Sequence, residues 1–230
     1  MKSILITGAN RGIGFEIARQ LGKKGFHVII SGRNEIKLSE SLVGLKEESV
    51  SAEMILMDVR DDSSVKLAAE IIAAKNITID TLINNAAVSM RQDRSLSGQD
   101  PEIIMATINT NSFGPLRVIQ AFLPLMNRPG KIINISSEGG SMSNPVGGWS
   151  PAYCVSKTML NALTRHLAFE LSGSGISVNS VTPGWVKTDM GGKSAPRSVE
   201  KGAETPVWLA SEAPYNLTGK FFKDKTEIDW

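Results

Sequence analysis

The chain reads as an α/β domain, a doubly wound parallel sheet of about seven strands with helices on both faces. Three observations predict it. Short apolar or β-branched runs alternate with longer stretches of helical period along the 230 residues. The runs are apolar on both sides of the pleat, as in Ile4-Leu5-Ile6 and Val28-Ile29-Ile30, which suits strands covered on two faces. The stretches between them are long enough for the crossover helices that parallel neighbours require. The length suffices for one large core and is short for two ordinary domains, so residues 1–230 are expected to form one domain.

Taken in order, the strands are read at 3–7 (SILIT), 27–31 (HVIIS), 54–58 (MILMD), 81–84 (TLIN), 131–136 (KIINIS) and 176–182 (ISVNSVT). Helical patterns fill Gly14 to Lys24, Asp62 to Lys75, Pro101 to Leu125 and Pro151 to Leu171. No repeat of fixed period interrupts them, and the small residues from Glu138 to Pro151 read as a loop within the domain.

Composition narrows the function. With 41% apolar and 21% charged residues and a formal charge of +2, the chain has a soluble protein's balance and no basic excess for nucleic acid. The apolar run at the N-terminus is too short for a signal-peptide core or a membrane span. Cys154 is the single cysteine and there are two histidines, so neither an internal disulfide nor a zinc or His-based metal site is expected. A reducing cytoplasm is the natural setting.

Directly after the first strand comes Gly8-Ala9-Asn10-Arg11-Gly12-Ile13-Gly14, followed by helical spacing in Ile17, Ala18 and Leu21. Glycines there permit a tight turn and close approach of backbone to a pyrophosphate, while the helix N-terminus offers oriented N–H groups. An ordinary strand-helix turn is the plainer explanation, but the strand before and the helix after supply the context of a dinucleotide cradle in a Rossmann-type fold. The end of the second strand chooses between cofactors, because an acid there accepts from the ribose 2′-hydroxyl and repels a 2′-phosphate. Here it reads Ser31-Gly32-Arg33-Asn34, without a carboxylate. Arg33 can grip a phosphate through its planar fork, and Arg11 adds a second charge, so NADPH/NADP is expected unless both arginines are merely solvated.

The strongest chemical signal is Tyr153-Cys154-Val155-Ser156-Lys157 at the start of a helical pattern. Residues four apart share a helix face, so the phenol and the ammonium point the same way. A fixed cation favours phenolate, and Lys157 is expected to lower the Tyr153 pKa. Upstream, Ser137 ends a strand where open α/β sheets bind ligands, and is read as a donor to a substrate oxygen. Asn111 puts an amide inside a long helix, where asparagine is otherwise unfavourable, and is read as the holder of a relay water. Alone, Ser137 could cap a turn and Asn111 could satisfy local backbone; their order behind the cradle argues for a site. Cys154 reads as packing rather than redox chemistry, and His166 as helix surface. Met142, Trp149, Trp185 and Met190 could line an apolar substrate pocket, or serve as core or lid packing.

Thr7 to Gly14, Asp58-Val59, Asn84-Asn85-Ala86-Ala87, Asn111 to Gly114, Ser137, Tyr153 to Lys157 and Pro183-Gly184 together resemble the successive motifs of the short-chain dehydrogenase/reductase family, over nearly the whole chain. Pro183 to Met190, Glu200 to Ala210 and the terminal Trp230 resemble its carbonyl reductase branch. The resemblance implies a catalytic tetrad of Asn111, Ser137, Tyr153 and Lys157. It also implies cofactor contacts from Asp58, Val59, Asn85, Pro183 and Gly184, with Val186 and Thr188 near the nicotinamide carboxamide. Two departures stand out: Ala87 replaces the family's usual glycine, and only fifteen residues separate Ser137 from Tyr153, without the helical insertion of the animal carbonyl reductases. A helix used for subunit contact is then uncovered, and Met159, Leu160, Leu163, Leu167 and Leu171 exceed one narrow core stripe, so a homodimer or homotetramer is expected. The reading is an NADPH-dependent reductase of a small-molecule carbonyl with Tyr153 as acid. Its rival is an NADP(H)-binding regulatory or signalling protein with little catalysis, which needs the cradle but not the acid.

Overall fold

The β-α alternation folds into an eight-stranded sheet of order β3-β2-β1-β4-β5-β6-β7-β8. The computed structural model describes residues 1–143 and 148–230. At the centre, β1 (Ser3–Thr7) pairs in parallel with β2 (His27–Gly32) and with β4 (Ile79–Asn84). Beyond β2 lies β3 (Ala52–Leu56); beyond β4 come β5 (Met126–Ile135), β6 (Ile176–Val181) and β7 (Phe221–Lys223), all parallel. The eighth strand, β8 (Thr226–Ile228), is antiparallel to β7 and takes the count one past the expected seven. Because the strand order reverses at β1, a crevice opens outside its carboxyl end, between the turns that follow β1 and β4.

Alternating side chains serve two cores. Ile4, Ile6, Val28 and Ile30 pack against α1 (Gly12–Lys23), α2 (Glu35–Glu47) and α7 (Val199–Ser211) through Ile17, Leu21, Leu38, Leu45 and Val207. On the other face, Leu5, Ile29, Leu82 and Ile132 meet Val65 and Ile72 of α3 (Asp62–Ala74) and Val118 and Phe122 of α5 (Gly114–Phe122). Each fully buried Leu, Ile or Phe contributes roughly 1.5–3 kcal/mol, which makes the sheet a rigid platform for the loops at its carboxyl edge. Buried Lys131 of β5 donates to the carbonyls of Leu209 (2.8 Å) and Ala213 (2.6 Å) and so fixes the C-terminal end of α7.

Three local readings change. The third strand stops at Leu56, so Met57 and Asp58 lie beyond its end; β3 is the sheet edge, paired with β2 alone. The stretch from Pro101 to Leu125 is helical but not one α-helix: α4 (Pro101–Ile108) passes through a π turn at Asn109–Phe113 into α5, and ends in a 3₁₀ turn. Along α6 (Pro151–Glu170), Leu160 and Leu171 are buried in the chain's own fold and Met159, Leu163 and Leu167 are half-buried. The outward apolar positions are instead Val155, Ala162 and Phe169, seven residues apart. Among the described residues no helix is long and apolar enough to cross a membrane, and no group of three or more His, Cys, Asp or Glu stands together as for a metal.

Candidate active site

The turn after β1 is shaped for close approach. Gly8 and Gly12 adopt φ of +63° and +57°, and a Cβ on Gly14 would stand 2.4 Å from the Asn85 amide nitrogen and 2.7 Å from the Gly8 carbonyl. Asn85 is what fills that space: its Nδ2 donates to the carbonyls of Thr7 (2.9 Å) and Gly8 (3.0 Å), while Thr7 Oγ1 accepts from the amides of Asn85 and Ala86 at 3.0 Å. The first helical turn of α1 has no acidic residue, and Arg11 before it forms no side-chain cap. Its N–H groups face a cleft of about 650 Å³ lined by Gly8, Asn10, Gly12, Ile13 and Gly14 at one wall and by Tyr153, Lys157, Pro183 and Thr188 at the other.

At the far end, exposed Arg33 stands at the β2 tip and Asp58 and Val59 line the same cleft. Asp58 is not free there: Arg60 grips its carboxylate, with Nη2 at 2.6 Å, and holds its pKa below the ordinary carboxylate value, with Arg33 adding a smaller effect. Arg60 has no signal of its own in the sequence, where the apolar pattern carries the expected strand to Asp58 while β3 ends at Leu56. Arg60 is thus a further cation near Arg33, while Arg11, which also lines the cleft, pairs with Asp189.

The segment after β6 contributes in two ways. Pro183 and Thr188 reach the cleft wall. Gly184, at φ +75°, lies against the Arg197 side chain, and Val186 is 4% exposed and backs onto Gly202 of α7, so these two shape the segment from behind.

At the closed end, α6 presents Tyr153 and Lys157 together. Tyr153 is half-buried; burial pushes its pKa up to about 12, and the nearby Ser137 hydroxyl pulls the other way. Lys157 is 2% exposed, its Nζ donates to the Ile135 carbonyl at 2.7 Å and stands 5.6 Å from the centre of the Tyr153 ring. Burial lowers its pKa to about 7. The expected lowering of the tyrosine by the lysine is not what dominates; desolvation is the largest cause for both groups. The 3₁₀ turn at Glu138–Gly140 sets their spacing from Ser137, since a Cβ on Gly140 would stand 2.7 Å from the Lys157 backbone.

For Ser137 and Asn111 the contacts of the plainer reading are present, a capped turn and satisfied nearby backbone. Ser137 Oγ accepts from the Gly139 amide at 3.1 Å. The Asn111 amide is spent locally: Oδ1 accepts from Val88 N at 2.8 Å, and Nδ2 donates to Val88 O at 2.8 Å and Ser156 Oγ at 3.0 Å. Cys154 is 5% exposed and packs beside Gly139, with its thiol pushed up to about 11 by burial, while His166 is exposed. Met142, Trp149, Trp185 and Met190 are 78%, 49%, 56% and 50% exposed, so none of them serves as core; Met190 lines the cleft, and the Trp149 ring lies 5.9 Å from that of Tyr153.

A model of the short chain dehydrogenases matches residues 2–198. Carbonyl reductase (NADPH) 1 of Sus scrofa is 31% identical over 276 positions, covering 98% of this chain and 93% of its own length. (+)-Neomenthol dehydrogenase of Arabidopsis thaliana is 33% identical, over 96% of this chain and 95% of that protein. Among solved structures, the NADPH-bound carbonyl reductase from chicken fatty liver superposes with a TM-score of 0.89 at 28% identity, over 100% of this chain and 99% of that one. The 276 matched positions exceed the 230 residues here, so the Sus scrofa protein carries residues with no counterpart in this chain.

Proposed function

The chain belongs to the short chain dehydrogenase family, and from that premise we propose that it is an NADPH-dependent reductase of ketone, aldehyde or quinone carbonyls, a single domain over residues 1–230 working in the cytoplasm. One observation carries the reading: Tyr153, close to Ser137 and one helical turn from buried Lys157, lines a glycine-walled cleft whose other end holds arginines and an acid already gripped by one of them.

The residues fit a phosphorylated nicotinamide dinucleotide. Gly8 and Gly12 at positive φ bring backbone to the cleft, the open N-terminus of α1 suits a pyrophosphate, and Arg33, with Arg11 and Arg60 on the same cleft, suits a 2′-phosphate. When bound, that group supplies the hydride. Ser137 and Tyr153 then hydrogen-bond the substrate oxygen, where negative charge develops. With its pKa near 12, Tyr153 enters as the neutral phenol, the state an acid must start from, and gives its proton to that oxygen. Lys157, poised near neutrality, returns a proton to the phenolate and orients the ribose. The relay water is held at the Asn111 main-chain carbonyl, because the side chain is engaged and Pro115, four residues on, has no N–H to give that carbonyl. Exposed Met190 on the cleft wall and Trp149 beside Tyr153 favour substrates with an apolar body.

Tyr153→Phe tests the assignment. Turnover should fall by about 10²- to 10⁴-fold, with NADPH affinity kept within a few fold, since only the proton donor is lost. A variant that kept a tenth of parent activity would contradict it. For assembly, a homodimer or homotetramer across the Val155, Ala162 and Phe169 stripe is the reading, and sedimentation showing one species near the 24.8 kDa monomer would defeat it.

A further inference from the structure

We propose that Asp93, in the loop after β4, is a positioning residue for Tyr153 that works as a detached cap on α6; the proposal rests on Tyr153 being the acid. The start of α6 has no cap of its own. Ser150 precedes the helix in the left-handed region, at φ 36° and ψ 62°, and its side chain makes no bond to the first turn. Pro151 has no N–H, and Cys154 N already donates to the Ser150 carbonyl at 3.0 Å. Two orphan donors are left, on Ala152 and on Tyr153 itself. Asp93 takes both: Oδ1 accepts from Ala152 N and Oδ2 from Tyr153 N, each at 2.9 Å.

The placement goes beyond what helix stability asks for. A Ser, Asp or Asn cap at the residue before the helix would close the same donors locally. Here the carboxylate arrives from 60 residues away, is 4% exposed, and meets in addition only the neutral amide of Gln99 at 3.3 Å among its side-chain partners described. Its charge sits at the positive end of α6, where the aligned peptide dipoles stabilise it. The loop that carries Asp93 begins with Asn85 and Ala86, which brace the glycine turn, and continues through Val88, which is clamped by Asn111. Asp93 therefore ties the main chain of the proton donor to the same piece of chain that builds the dinucleotide wall. The distance between the phenol and that wall is set by this tether rather than by the helix alone.

The test uses Asp93→Ala, Asp93→Asn and, as a control, Asp61→Ala, which removes a carboxylate that caps α3 through Ser63 N at 2.8 Å and does not line the cleft. In Asp93→Ala, kcat for carbonyl reduction should fall about tenfold or more, since misplacing a reacting group by a fraction of an ångström has effects of that size. KM and the NADPH dissociation constant should stay within about threefold. Amide exchange over residues 150–157 should quicken. Asp93→Asn, which keeps one acceptor and the shape, should recover part of the kcat. Asp61→Ala should lose comparable thermal stability with kcat unchanged. The proposal is overturned if Asp93→Ala keeps kcat within twofold of the parent, if its loss is matched by the control, or if exchange at 150–157 does not change in either Asp93 variant. A parent that turns over no carbonyl with NADPH would instead sink the reductase reading; exchange at 150–157 would still decide the tether.

Discussion

Helices α1 and α6 deliver their first turns to one cleft, yet α1 starts on a glycine with no cap and no acid, whereas α6 starts on a proline with every remaining N–H closed by Asp93. An open helix start is a partial positive charge waiting for an anion. A closed one has no affinity left to offer and serves as a mount, which is what a proton donor needs. The contrast says that this molecule binds with backbone at one wall and does chemistry with side chains at the other, so that damage to each wall should show in a different constant.

The sharpest break of the open wall is Gly14→Ala, because its Cβ would meet Asn85 at 2.4 Å and the Gly8 carbonyl at 2.7 Å. NADPH affinity should drop about a hundredfold, with loss of the turn geometry that lets backbone approach phosphate. Binding by isothermal titration checks it, and near-parent affinity would mean that the turn yields. A smaller effect is expected at the arginine end. Arg33→Asp should turn the cofactor preference from NADPH towards NADH by about tenfold or more each way, as an acid replaces a phosphate grip. Paired dissociation constants for both dinucleotides give the answer.

The mount can be probed without any ligand. Lys157 has its pKa pulled down by burial from 10.5 to about 7, so the folded state holds the ammonium at a cost below pH 7, and that cost fades as pH rises towards 10.5. Lys157→Met should therefore raise the melting temperature most below pH 7, by an amount on the order of 2 kcal/mol or about 4–8 °C. The gain should shrink through pH 7–10. A gain that stayed constant with pH would point to better packing instead. Activity, by contrast, should be lost at every pH.

These two walls were not equally legible from sequence. The cradle is local: Gly8, Gly12 and Gly14 follow β1 and open α1, so a strand pattern, three glycines and a helix pattern within about twenty residues suffice. Tyr153 and Lys157 are local in the same sense, one turn apart on α6. What holds them is not. Asp93 lies in a polar loop that carries no pattern, and its role exists only once the β4 and α6 ends are brought together. Asn111 was singled out for being polar in a helix, but the π turn around it and its clamp on Val88 are tertiary facts. Arg60 has no signal of its own, and Met57 prolongs the apolar run past the last β2 pairing at Leu56, which puts the expected strand end on Asp58. Part of the apolar surplus along α6 is covered within the chain for a related reason: α6 packs against β6, α4, the π turn and the 3₁₀ turn at once, which buries Leu160 and half-buries Met159, Leu163 and Leu167.

The account stands or falls on whether the two walls work together on a carbonyl. The direct measurement is oxidation of NADPH and of NADH, side by side, with a panel of apolar ketones, aldehydes and quinones. Turnover with NADPH on several of them, at a kcat/KM about tenfold or more above that with NADH, is the predicted result. Tight NADPH binding with no turnover on any carbonyl would contradict it, and would leave a dinucleotide-binding protein that keeps Tyr153 and Lys157 for something other than catalysis.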